Sequence, residues 1–183
     1  MALAFGAIVL SQDLILDEKQ AGITEWLLAK PIARRSYVLA KLVASLIAVL
    51  VLLVTMPALL TYLLISARMG TFFPPLAFLS GVGIMTIHTI FYLTLTIMLG
   101  TLFESRIPIL GVALGMVMGG SLIGGIIQPL MYVMPWALGK IASLVADGQP
   151  IPNGMLWTPL IASLLWSVVF TLVALAKFEK KEF

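Results

Sequence analysis

Three groupings of side chains in this sequence could do chemistry. His88, Tyr92 and Thr96 follow one another at spacings of four inside an apolar run, which sets them on one face of a helix. Such a stripe suits a proton relay or a contact with a solute, and it suits hydrogen bonding between packed helices equally well. Gln128, another polar group in apolar surroundings, reads the same two ways. Asp13 and Asp17 also share a helical face, with Glu18 beside Asp17, an arrangement that could hold a divalent cation. The third grouping is the segment from Asp17 to Lys41, DEKQAGITEWLLAKPIARRSYVLAK. It holds Lys19, Lys30, Arg34, Arg35 and Lys41, five of the 11 Lys and Arg residues, whereas Leu42 to Ala67 carries no charge.

What the sequence lacks narrows the chemistry further. There is no GxxxxGK[ST], HExxH or GxSxG motif, so ATP hydrolysis, zinc peptidase and serine hydrolase activity are excluded in those forms. With no cysteine, disulfides and thiolate metal sites are excluded too. The chain is therefore read as a non-enzyme, and no catalytic residue, cofactor or resident metal is assigned.

The elements that must position these groups are membrane helices. Hydrophobic residues make up 61% of the chain and charged residues 10%, with a mean hydropathy of +1.13, far from a soluble domain. At about 1.5 Å per residue, runs long enough to cross about 30 Å of hydrocarbon fill nearly all of the 183 residues. The expected fold is all-α, a single polytopic transmembrane domain over residues 1–183 with about five segments: 1–16, 42–67, 76–103, 107–134 and 157–177. The first is short and is interrupted by Asp13, as expected of the later half of a longer span.

Lys and Arg alternate between connections if residues 17–41 are placed in the cytosol. Arg106, Lys177, Lys180 and Lys181 then fall on the same side, and only Arg68 and Lys140 fall outside. That puts the amino terminus outside and the carboxyl terminus in the cytoplasm, with nucleic acid an unexpected partner.

Within the cytosolic segment, Thr24 can cap a short helix, Glu25 favours its positive end and Pro31 stops it. Ile23, Trp26, Leu27 and Lys30 share one face of it. The rod is too polar to span and too apolar on one side to stay bare, so it either lies in the lipid headgroup zone or docks in a groove on another protein.

The order Glu18, Gly22, Glu25-Trp26-Leu27-Leu28, Lys30-Pro31, Arg34, with Lys41 at the foot of a long span, resembles the cytosolic signature of ABC-2 type transporter permeases. Ile23 and Ala33 depart from that pattern, which usually has Thr and Ser there. The resemblance implies a six-helix permease working as a dimer with a second copy or a paralogue. It implies a coupling helix in residues 18–34 that docks on a separate ATP-binding cassette ATPase subunit. Glu18, Gly22, Glu25, Trp26, Leu27, Leu28, Pro31 and Arg34 would make that contact. It also implies that Met1 to Leu16 ends the second helix of the family, leaving the first helix outside this chain.

Two more features bear on packing. Gly111, Gly115 and Gly119 recur at spacings of four, with Gly120 and Gly124 following, a stripe that lets helices approach closely or lines a moving transport path. Pro129 is expected to loosen the outer end of that span. Residues 135–156 read as an outer loop with a short half-buried helix over Ala137 to Val145, either re-entrant or seated at the interface, where Trp136 and Trp157 would suit. Glu104 and Arg106 border a short turn and suggest a surface ion pair.

The favoured function is the permease subunit of an ATP-driven exporter in the cell membrane, with a lipid-like, drug-like or peptide cargo suited to a mostly apolar interior. A self-contained secondary transporter or channel using His88 and Gln128, or a non-transporting membrane scaffold, are the alternatives.

Overall fold

The computed structural model describes residues 1–20, 34–123, 126–151 and 155–180. Those residues are almost entirely helical, and no strand occurs among them. In chain order the helices are α1 (Ala2–Ser11), α2 (Asp13–Gln20), α3 (Arg34–Val49), α4 (Met56–Met69), α5 (Pro75–Leu102), α6 (Arg106–Ile123), α7 (Gln128–Val133), α8 (Leu138–Ala146) and α9 (Trp157–Lys180). Gln12 keeps a helical backbone, so α1 and α2 form one continuous path.

Between α3 and α4, Leu50–Thr55 is wound as a π-helix. Pro57 explains the change of winding, because it has no N–H to offer the carbonyl four residues earlier and its ring crowds that carbonyl. The Met56 N–H instead reaches back to the Val51 carbonyl, one residue farther than in an α-helix. The whole stretch Ser36–Met69 is 34 residues of apolar helix.

At its far end Gly70 adopts a left-handed backbone with φ of 68°, which only glycine takes without strain. Two side chains of α4 hold the turn that follows. Ser66 Oγ accepts the Phe73 N–H at 3.2 Å, and the Tyr62 hydroxyl donates to the Phe73 carbonyl at 3.1 Å. Pro74 and Pro75 then start α5, where a missing N–H costs nothing.

α5 is the central helix and packs against α1, α2, α6, α8 and α9. Its hydroxyls are satisfied along its own backbone: Thr89, Thr94 and Thr96 each donate to a carbonyl four residues earlier. One core cluster joins Ala4, Ala7 and Ile8 of α1 with Phe91, Leu95 and Leu99 of α5, Ile109, Ala113 and Val117 of α6, and Phe170 and Ala174 of α9. A second gathers Ile84 of α5, Leu138, Ile141 and Ala142 of α8, and Leu160 of α9.

Three helical stretches are long and apolar enough to cross a membrane: Ser36–Met69, Pro75–Leu102 and Trp157–Glu179. The other two expected spans are different objects. The first segment lies along only half of α5: Met1 lines a cavity with His88, at the midpoint of α5, and Ile15 lies beside Gly100 near its end.

The expected run 107–134 is not one helix. The described part of α6 reaches Ile123, Ile127 has left helical geometry (φ −121°, ψ 84°), and Pro129 opens the short α7. Glycines at 119, 120, 124 and 125 each weaken a helix by about 1 kcal/mol relative to alanine, and Pro129 removes a further N–H, so a break here is inexpensive. Gly124 and Gly125 themselves lie outside the described residues.

After α7 a 3₁₀ turn, Pro135–Ala137, leads into α8. Trp136 lies against α6, its indole N–H donating to the Met116 carbonyl at 2.7 Å. A Cβ on Gly120 would stand 2.5 Å from Trp136 Cγ, at the root of the indole where nothing can swing aside. α8 then runs along the first half of α5, so closely that a Cβ on Gly81 would meet the Ala142 carbonyl at 2.8 Å. The expected helix in the 135–156 loop is therefore present, packed on α5 by buried Leu138, Ile141 and Ala142.

Gly120→Ala should cost about 1–3 kcal/mol, the usual range for forcing extra volume into a packed site. Gly115→Ala, where an added Cβ meets nothing within 4 Å, should stay within about 0.5 kcal/mol. Thermal unfolding of the two detergent-solubilised variants side by side checks this, and equal shifts would contradict the Trp136 contact.

Candidate functional site

Two regions gather the side chains that the sequence singles out. The first is the charged end of the bundle, where α2 ends, α3 and α6 begin and α9 ends. Arg106, the first residue of α6, reaches back 89 positions to donate from Nη2 to Asp17 Oδ1 at 2.7 Å. Its Nε lies 2.9 Å from Asp13 Oδ1, close enough for ion pairing but off the line of a hydrogen bond. The hydrogen bond to Asp17, with the charges of Asp13 and Asp17 behind it, raises the Arg106 pKa above its ordinary value and keeps the guanidinium charged.

A guanidinium therefore stands where a divalent cation had been conceivable between Asp13 and Asp17. Among the described residues no group of three or more His, Cys, Asp or Glu side chains comes together. Arg106, which the sequence paired with nearby Glu104, is tied to the carboxylates of α2.

Across the same end, Tyr37 in the first turns of α3 stacks on Phe178 of α9, with centroids 5.2 Å apart and planes 16° from parallel. Both rings are buried. Of the expected coupling residues, Gly22, Glu25, Trp26, Leu27, Leu28 and Pro31 lie outside the described residues. Glu18 falls within α2 and Arg34 opens α3. The two helices that flank residues 21–33 are thus each fastened to another part of the bundle: α2 to the start of α6 by ion pairs, α3 to the end of α9 by stacked rings. Neither fastening was legible in the sequence, since its partners are remote in the chain.

The second region is a cavity of about 240 Å³ at the middle of α5, lined by Met1, His88, Tyr92, Val117, Gly120, Trp136, Gly139 and Lys140. His88 is 6% exposed and its ring meets that of Tyr92 edge-on at 5.1 Å. His88 and Tyr92 come together as their spacing suggests. Thr96, the third member of the stripe, is turned to its own helix and donates to the Tyr92 carbonyl.

Two further residues line this cavity. Lys140, assigned by its charge to the outer side, is exposed and borders it. Trp136, read as suiting either the interface or a re-entrant segment, is half-buried and hydrogen-bonded to the backbone of α6. The signal that could have found both is the run of glycines, which admits a large ring only where the backbone is bare. Gln128 is the first residue of α7.

Of the glycine stripe, Gly119 meets the Trp136 ring, while Gly111 and Gly115 face open space and α6 packs within the chain through Ile109, Ala113 and Val117. Gly124 lies outside the described residues. A second, apolar cavity of about 320 Å³ shares Gly139 with the first and runs between α1, the π-helix, α4, α5 and α8, lined by Leu3, Leu53, Pro57, Phe78 and Met85 among others.

The family model described as ABC-2 family transporter protein matches residues 1–142. No curated protein and no solved structure matches the chain.

The two fastenings at the charged end differ in kind. Arg106 and Asp17 are both about half exposed, with relative exposures of 52% and 53%, and such pairs contribute at most about 1 kcal/mol. Phe178 is buried, and removing a buried phenyl ring costs about 3 kcal/mol or more. Phe178→Ala should therefore destabilise more than Arg106→Gln, and only the Arg106→Gln loss should fade as salt is raised to about 1 M. Unfolding of both variants at low and high salt measures this.

Proposed function

Because this chain belongs to the ABC-2 family of transporter proteins, we propose that it is the membrane-spanning permease subunit of an ATP-binding cassette exporter. A separate ATPase subunit hydrolyses the nucleotide and grips residues 18–34, with Trp26 and Leu27 as the apolar anchors. The charged end of the bundle faces the cytosol of a cell membrane, which leaves the carboxyl terminus inside. The first segment completes a crossing, and α6 with α8 makes another in two pieces, which gives the five expected passages. A second permease copy or a paralogue packs on the open Gly111 and Gly115 face of α6, where bare backbone permits close approach.

The observation that carries this reading, beside family membership, is that both helices flanking residues 21–33 are fastened to the helices behind them. A displacement applied to a short rod between two such helices passes into α6 and α9 instead of being absorbed in slack. Asp17 and Arg106 carry it on one side, Tyr37 and Phe178 on the other. The apolar cavity beside α5 supports a lipid-like, drug-like or hydrophobic peptide cargo over a sugar or a small inorganic ion.

Co-purification tests the partner: an ATP-binding subunit should come down in fixed ratio with the intact chain. Trp26→Ala combined with Leu27→Ala removes the anchors and should weaken that association about tenfold or more, as loss of central apolar anchors does. ATP hydrolysis should be uncoupled from transport while the spans stay folded. Normal ATPase binding by the double variant would refute the docking role.

A further inference from the structure

We propose that Leu50–Thr55 is a hinge and α4 an arm that swings on it, opening and closing to the surrounding lipid the apolar hollows that α4 makes with α5. Two departures from regular winding coincide there. The π-wound turns carry an extra residue, and Pro57 has no N–H to offer the Leu53 carbonyl four residues back. Helices bend sharply at proline and at π-wound turns, so this stretch is where the 34-residue helix yields.

The burial of side chains changes at the same place. Up to Val54 the helix is held: α3 packs on α9 and α5, and the π-wound stretch packs on α1 and α5, so closely that a Cβ on Gly6 would stand 2.8 Å from Leu53 Cδ1. Tyr37, Val38, Ser45, Val49 and Val54 are all buried along it. Beyond Val54 the next buried side chain is Ser66, about 18 Å farther along the helix. Among the described residues, no element except the adjoining π-wound stretch packs extensively on α4. A segment with so few buried contacts opens at a lower free energy than the body it joins.

Between hinge and tip, α4 and α5 meet along one narrow line. A hollow of about 400 Å³, lined by Thr55, Leu59, Tyr62 and Leu79 among others, lies on one flank of it, and the cavity of about 320 Å³ lined by Pro57 and Gly81 lies on the other. Ala58, Phe78 and Val82 line both and mark the contact. At the tip the arm is latched. The Tyr62 ring meets that of Phe78 with centroids 5.2 Å apart, the Tyr62 hydroxyl donates to the Phe73 carbonyl, and Ser66 Oγ accepts the Phe73 N–H. The chain from Ala67 to Phe72 is exposed, which leaves it free to follow the tip once the latch lets go. This gating goes beyond the permease reading and needs no ATPase partner.

The chain has no cysteine, so nitroxide pairs can be placed by substitution alone. Spin–spin distances are measured in nanodiscs on the complex as purified, with labelled chain diluted into unlabelled. Leu64→Cys on α4 with Leu165→Cys on α9 reports the arm, and Val43→Cys on α3 with Leu165→Cys reports the fixed base; all three positions are exposed. The arm pair should show a second, minor distance, and the base pair a single one. Tyr62→Phe with Ser66→Ala removes the latch hydrogen bonds and should raise the minor population about tenfold or more, as losing two such bonds does. Adding Pro57→Ala, which restores the N–H and removes the crowding ring, should bring that population back down. A single arm distance in the latch variant would overturn the arm, and a second population undiminished by Pro57→Ala would overturn the hinge. Normal ATPase binding by the Trp26 and Leu27 variant would leave these distances unaffected, so the two proposals fail separately.

Discussion

The contact between the Trp136 indole and the bare backbone of α6 is the constraint on which the rest of the arrangement depends. The ring reaches the Met116 carbonyl only because positions 119 and 120 carry no side chain. Once seated there, it holds the start of α8 beside the middle of α5 and leaves α8 to cover the helix from that point outward. The cavity, the burial of His88 and the location of Lys140 all follow from that seat. In an apolar solvent an interrupted helix exposes carbonyl and N–H groups that water cannot satisfy, so irregular backbone persists only where protein covers it or where it lines a cavity.

The charged end obeys a different balance. Salt bridges between half-exposed groups contribute little to stability, but they orient helices that are otherwise free to slide on apolar faces. Asp13 and Asp17 lie one turn apart, so a single guanidinium touching both fixes the rotation of α2 as well as its distance from α6. The stacked pair of Tyr37 and Phe178 acts through area and burial instead, and salt does not reach it. The two kinds of link together make this end of the bundle stiffer than either would alone.

Much of the fold was legible in the sequence. Hydropathy and length gave an all-helical membrane chain, and the uncharged run after Lys41 marked the long span that contains α3 and α4. The cytosolic segment carried the family resemblance, and the family match over residues 1–142 agrees with it. What hydropathy could not register was the break at Ile127, because an interrupted apolar run is as apolar as a continuous one. The links from Arg106 to α2 and from Tyr37 to Phe178 join positions far apart in the chain, and no local pattern announces them. The glycine stripe was visible as a stripe, but which members meet a neighbour is decided by where Trp136 falls.

The π-wound stretch Leu50–Thr55 has a bearing on the far end of the molecule. A turn of that kind holds roughly one residue more than an α-helical turn, so everything beyond it is rotated about the axis by about 100° relative to an unbroken helix. Tyr62 and Ser66 meet the Phe73 backbone only in this rotated phase. Shortening the stretch by one residue would regularise the winding and swing both side chains away from the turn that joins α4 to α5. The extra residue thus acts as a phase offset, setting which face of α4 closes the connection and which is left to lipid.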